Sequence, residues 1–168
     1  MVGTRSTAPR RGAGIPKARI REEVIETSTE ENVRKLKEVI DAFNSKDFSR
    51  LEKLNARSIV FDAAGLPEPL KGREAVSEWN RAFTDAFPDL RFRLERSFGE
   101  GDWVCGEGIG TGTHKGPLPG PGGQTIPATN KPIRLKFAAT QKLEGGEVTE
   151  VHVYFDRLEM VTQLGIKA

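Results

Sequence analysis

The sequence is poor in the residues from which disulfides and metal sites are made. It has one cysteine, Cys105, and two histidines, His114 and His152. A lone cysteine excludes an internal disulfide and a cysteine-based zinc cluster, and it suits a reducing compartment. Two histidines cannot supply a histidine-rich metal site. No metal and no cofactor is expected. No apolar run approaches the roughly 20 residues that a membrane span requires. No apolar signal-peptide core follows the first residues. The expectation is a cytoplasmic protein without membrane contact.

Acidic residues are missing from the start of the chain. Residues 1–21 hold six basic residues and no acid, which leaves 20 basic against 24 acidic residues in the remainder. That remainder has no basic surplus with which to track phosphates, so nucleic acid is not an expected partner. The start is also rich in Gly, Pro, Ser and Thr and has no helical period. Residues 1–28 read as a flexible basic extension, and residues 29–168 as one domain. A nucleic-acid arm or a transit peptide is the alternative, but Pro9, Gly12, Gly14 and Pro16 oppose an amphipathic transit helix.

What is present is a sequence of helices followed by strands. Ser28-Thr29-Glu30-Glu31 has the form of a capping box, opening a helix whose stripe is Val33, Leu36, Val39, Ile40 and Phe43. A short helix spans 47–54 and a short strand 58–62. A third helix runs from Gly72 to Phe87, with Val76, Trp79, Phe83, Ala86 and Phe87 on one stripe and Pro88 as its stop. Residues 89–98 alternate as a strand, with Leu90, Phe92 and Leu94 facing inward. The stretch Trp103–Phe155 reads as a three-stranded antiparallel meander. Its first strand carries Gly106, Gly108, Gly110 and Gly112 at period two, which suggests bending or a close approach. Residues 115–132 read as a loop, and Glu144-Gly145-Gly146-Glu147 as a hairpin turn. Asp156 caps a last helix that Gly165 stops. Helices first and a mostly antiparallel sheet after them make an α+β domain.

These residues resemble the SnoaL-like polyketide cyclases. The resemblance is carried by Phe87-Pro88-Asp89-Leu90, Gly101-Asp102, Gly112-Thr113-His114 with Gly116, Ile126-Pro127-Ala128-Thr129-Asn130-Lys131, Gly146-Glu147-Val148 with Glu150, and Gln163-Leu164-Gly165. It implies a cone-shaped α+β barrel like that of ketosteroid isomerase and nuclear transport factor 2, with a curved sheet wrapped around the N-terminal helices. It also implies a deep apolar cavity for a hydrophobic small-molecule ligand, dimerisation of like subunits through the outer face of the sheet, and reactions run without metal or cofactor. The cyclases' acid/base aspartate corresponds to Val153 here, and their assisting histidine falls near Ala139. The isomerase's proton-shuttling aspartate corresponds to Asp62, while its oxyanion tyrosine and acid correspond to Val39 and to Ala138 or Ala139. Isomerisation, dehydration or epoxide hydrolysis therefore fits the residues better than ring closure.

Asp62 is the leading catalytic candidate, since a carboxylate in a dry pocket acquires a raised pKa suited to proton abstraction. The other reading of Asp62 is a turn cap. His114 is a second candidate, as an orienting or oxyanion-stabilising imidazole, or else a structural ligand of the loop backbone. Glu107 is a third if its face of the strand is the cavity face, and a solvent or interface residue if it is not. Trp79, Phe83, Phe87 and Trp103 read as core and as ligand-stacking wall. Val153 and Phe155 complete the wall, and His152 points outward with Glu150 and Tyr154. The expected function is a cofactor-independent acid/base enzyme acting on a hydrophobic molecule. The alternatives are a non-catalytic binding module in the same pocket and an interaction domain.

Overall fold

A computed structural model describes the backbone of residues 17–119 and 125–166, with side chains from residue 28 onward. The described residues begin with α1 (Lys17–Asn44) and α2 (Phe48–Leu54), then β1 (Asn55–Ala63), β2 (Leu70–Lys71) and α3 (Arg73–Ala86). The strands β3 (Arg91–Glu100), β4 (Trp103–Thr113), β5 (Leu118–Pro119), β6 (Thr125–Ile126), β7 (Pro132–Glu144) and β8 (Glu147–Phe155) follow, and α4 (Arg157–Leu164) ends the fold. The six-stranded sheet has the order β2-β1-β8-β7-β4-β3 and is antiparallel except between β1 and β8. The expected meander is its centre: β4 pairs with β7, and β7 with β8.

Most helix ends obey local rules. Asp47 caps α2 by accepting from the Arg50 amide at 3.0 Å, and Asp156 caps α4 by accepting from the Glu159 amide at 3.0 Å. Gly165 ends α4 in the left-handed region at φ 70°. The start of α1 does not follow the sequence reading. The helix runs back to Lys17, so Ser28-Thr29 lies inside it and forms no cap. No Gly or Pro lies between Lys17 and Asn44, and the Arg, Lys and Glu residues before Ser28 are good helix formers. The domain boundary expected at residue 28 is therefore crossed by a helix, and residues 1–16 of the expected extension lie outside the described residues. Two further corrections concern strands. The region read as one loop carries the small β5–β6 hairpin. In β3 a bulge between Leu94 and Arg96 reverses the alternation, so Phe98 emerges on the outer face with 61% exposure.

The glycines of β4 allow the layers to close. A Cβ on Gly106 would press on Leu36 of α1, one on Gly110 on Phe92, and one on Gly112 on Leu90. A Cβ on Gly108 would overlap the Arg93 carbonyl next to the bulge. Leu36, Ile59, Val76, Val104, Leu143 and Val148 form one core cluster, and a second gathers around Phe43, Phe87, Leu90, Leu135 and Leu164. Val39 packs against both clusters.

Gly108→Ala should lower unfolding stability by about 1–3 kcal/mol, because the clash is with backbone that cannot rotate away. Urea denaturation measures it, and an unchanged midpoint would show that this approach is not needed.

Candidate functional site

A cavity of about 100 Å³ lies between α1, α3 and the inner face of the sheet. Its wall comes from the positions that the period-two rule sends inward: Ile59 and Phe61 on β1, Phe137 and Ala139 on β7, Val151 and Val153 on β8. On the helical side Trp79 and Phe83 of α3 stack in parallel, ring centres 5.0 Å apart and planes 8° apart. Phe61 meets Trp79 at 4.8 Å, and Phe83 meets Phe87 at 5.3 Å. A smaller space of about 50 Å³ continues along Leu135, Val153 and Phe155. Trp79 and Phe83 also line an outer groove of about 560 Å³ beside Gly65, Leu118, Arg157 and Met160. The aromatic pair thus forms a wall shared by the inner cavity and the groove.

Three polar side chains belong to the cavity lining: Asn55, Asn80 and Gln141, at 6%, 7% and 3% exposure. The sequence reading missed all three. Gln141 had a legible signal, as the one polar residue in the inward series Ile133, Leu135, Phe137, Ala139, Gln141, Leu143. Asn80 sits on the buried side of α3 one position after Trp79, where a stripe read only for apolar residues passes over it. None of the lining side chains carries a charge.

Of the expected site residues, Trp79, Phe83 and Val153 line the cavity, and Phe155 lines its extension. The expected placement of Asp62 is corrected. Phe61 faces inward, so its neighbour Asp62 faces outward, its side chain 46% exposed and 3.8 Å from His152 Nδ1. His152 Nε2 in turn lies 2.6 Å from Glu150. Glu107 is on the outer face as well, ion-paired with Arg96. Trp103 is not a cavity residue: it lies outside, 39% exposed, its ring 6.2 Å from that of His152. Phe87 is fully buried core rather than cavity wall.

His114 is fully buried with its ring 5.1 Å from Phe87, away from the cavity lining. Its Nδ1 accepts from the Thr129 amide at 3.2 Å, so the neutral ring carries its proton on Nε2. Its backbone amide donates to the Lys131 carbonyl, and its carbonyl accepts from the Asn130 amide. The residue thus ties the 129–131 segment to the end of β4. Burial holds its pKa below the ordinary 6.5. Among the described residues no group of three His, Cys, Asp or Glu could hold a metal ion, and no helix is long and apolar enough to cross a membrane.

This architecture has known relatives. Residues 33–164 match the model of the SnoaL-like polyketide cyclases. The chain belongs to that family. Its fold is also that of several solved structures. One, a candidate SnoaL-like polyketide cyclase from Jannaschia sp. CCS1, is 19% identical with a TM-score of 0.74, covering 84% of this chain and 96% of its own. AclR from Streptomyces galilaeus, a candidate hydroxylase, is 21% identical with a TM-score of 0.69, covering 82% and 98%. A protein of ketosteroid isomerase-like fold from Catenulispora acidiphila, solved with trimethylamine, is 18% identical with a TM-score of 0.66, covering 79% and 93%. No curated protein matches the chain. The cone-shaped α+β fold is thus that of the SnoaL-like polyketide cyclases, and fold alone does not select a reaction.

The buried His114 gives stability a pH dependence of definite sign. Below 6.5 the unfolded chain binds a proton that the folded ring refuses until the pH reaches its lowered value. This contribution is intact above 6.5 and is lost as the pH falls below it. Unfolding free energies from pH 8 to 5 should decline on the acid side, and His114→Gln should flatten that limb. An equal slope in the variant would remove His114 as its source.

Proposed function

We propose that this chain is a ligand-binding member of the SnoaL-like family, holding a hydrophobic small molecule in the cavity between α3 and the sheet without acid/base chemistry there. One observation carries the reading: the lining contains no carboxylate, imidazole, amine or thiol. Proton transfer requires such a group within hydrogen-bond reach of the bound molecule. Val153 and Ala139 line the cavity where the resemblance places the cyclases' acid and histidine. The volume supports a ligand of one ring. The cavity and its extension approach the roughly 150 Å³ that accepts a benzene-sized molecule. The groove beside Trp79 and Phe83 supplies an approach to it. The composition supports a cytoplasmic location.

The reading includes a homodimer through the outer face of the sheet. Phe98, Trp103 and Tyr154 are 61%, 39% and 57% exposed there. The same face carries Asp62 and Glu150 on β1 and β8, and Arg91, Arg93 and Arg96 on β3. A two-fold contact sets one copy's acidic side against the other's basic side, as an isologous interface requires.

Toluene should bind the wild type in calorimetry. Ala139→Leu, which fills the cavity from β7, should weaken that binding about tenfold or more with the fold retained. Unchanged affinity would sink the assignment of the cavity. For the dimer, sedimentation should give twice the chain mass, and Trp103→Glu should give a monomer of unaltered circular dichroism. A wild type that sediments as a monomer refutes the interface.

A further inference from the structure

The cavity contains three amides that a purely apolar ligand would leave idle. Gln141 stands on the inner face of β7, opposite Val104 on β4 and Val151 on β8. It is 3% exposed, and its Oε1 has no hydrogen-bond partner. A buried acceptor without a partner is costly, and each such case in a folded protein calls for a reason. Asn55 and Asn80 line the same cavity, and among the described residues neither side chain has a hydrogen bond.

We propose that Gln141 reads a hydroxyl on the bound molecule, so that the ligand is an uncharged, ring-sized hydroxyl compound such as a phenol or an enol. This rests on the reading of the cavity as a ligand site. An orphan acceptor needs a donor, and a ketone or an ether offers none. A carboxylate would set another acceptor against Oε1 in a lining without a cation, and an ammonium would be buried in a lining without an anion. A hydroxyl can donate to Oε1 and still accept from the NH₂ of Asn80 or Asn55, since each primary amide carries two donors and an acceptor. Water is the rival occupant. The three amides supply the two to four polar partners it needs, but it leaves the other 14 of the 17 lining residues, all apolar and Trp79 included, without an apolar occupant. The hydroxyl of an otherwise apolar ring satisfies both parts of such a wall.

Phenol and toluene test the idea, because they differ by a hydroxyl in place of a methyl of similar size. Benzaldehyde adds an accepting oxygen without a donor. Calorimetric titration of the full chain should show phenol at least about tenfold tighter than toluene, with benzaldehyde close to toluene. Gln141→Met should bring the phenol affinity down to that of toluene. A wild-type phenol-to-toluene ratio near one, or a ratio unchanged by Gln141→Met, overturns the assignment of Gln141 and leaves the cavity standing as a ligand site. If none of the three compounds binds the wild type, the ligand-site reading falls and this inference falls with it. The wild-type ratio decides the matter even if Gln141→Met does not fold.

Discussion

The fold depends on one close approach, that of α1 to the glycine face of β4. A helix resting on side chains sits well away from a sheet, but here Leu36 occupies the space that a Cβ on Gly106 would take. Gly110 and Gly112 make the same room for Phe92 and Leu90. Closing this end fills it with core. Along β7 and β8 side chains resume on the inner face, and Phe137, Ala139, Val151 and Val153 hold the helices off. The cavity is what remains between a glycine-rich strand that α1 can lie against and side-chain-rich strands that it cannot. The bulge in β3 belongs to the same geometry, because it turns the edge strand where Gly108 meets the Arg93 carbonyl.

The period-two rule then sorts the chemistry by face. Asp62, Glu107, Glu150 and His152 all fall outside, where they pair with one another or with Arg96 and stay within reach of water. In the cavity lining the polar groups are amides. The division has a physical basis, since a carboxylate in an apolar cavity is desolvated and tends toward its neutral form unless a partner stabilises it. An amide carries no such charge and retains directional hydrogen bonding. Val153 and Ala139 give the cavity wall apolar side chains at two of its sheet positions.

Much of this could be read in the sequence. Strong periodicity located α3, the meander and α4, and the capping residues Asp47 and Asp156 act as their chemistry suggests. The glycine repeat signalled a close approach before its partner was visible. The placement of Asp62 inside the pocket failed for a reason also present in the sequence. If Ile59 and Phe61 face the core, their alternation sends Asp62 outward, and the analogy with the isomerase outweighed that parity. The reversal at Phe98 was not legible, because a bulge leaves no alternation error until the partner strand is known. The β5–β6 hairpin was hidden by a composition that also describes a loop. Gln141 was legible as one polar residue in an apolar series, a pattern easily taken for an irregularity in the core.

The two polar systems of the interior act on different quantities. His114 is buried and titratable, and it anchors the 129–131 segment to the end of β4, so acid reaches the molecule through its folding. The amides of the cavity do not titrate, and on the proposed reading they discriminate by the number and direction of hydrogen bonds. Affinity for a neutral ligand should therefore hold constant with pH wherever the protein stays folded. A pocket that used a carboxylate as a base would instead show a titration in its binding or rate. On the proposed reading this chain is of the first kind, with selectivity resting on fixed donors and acceptors in an apolar wall.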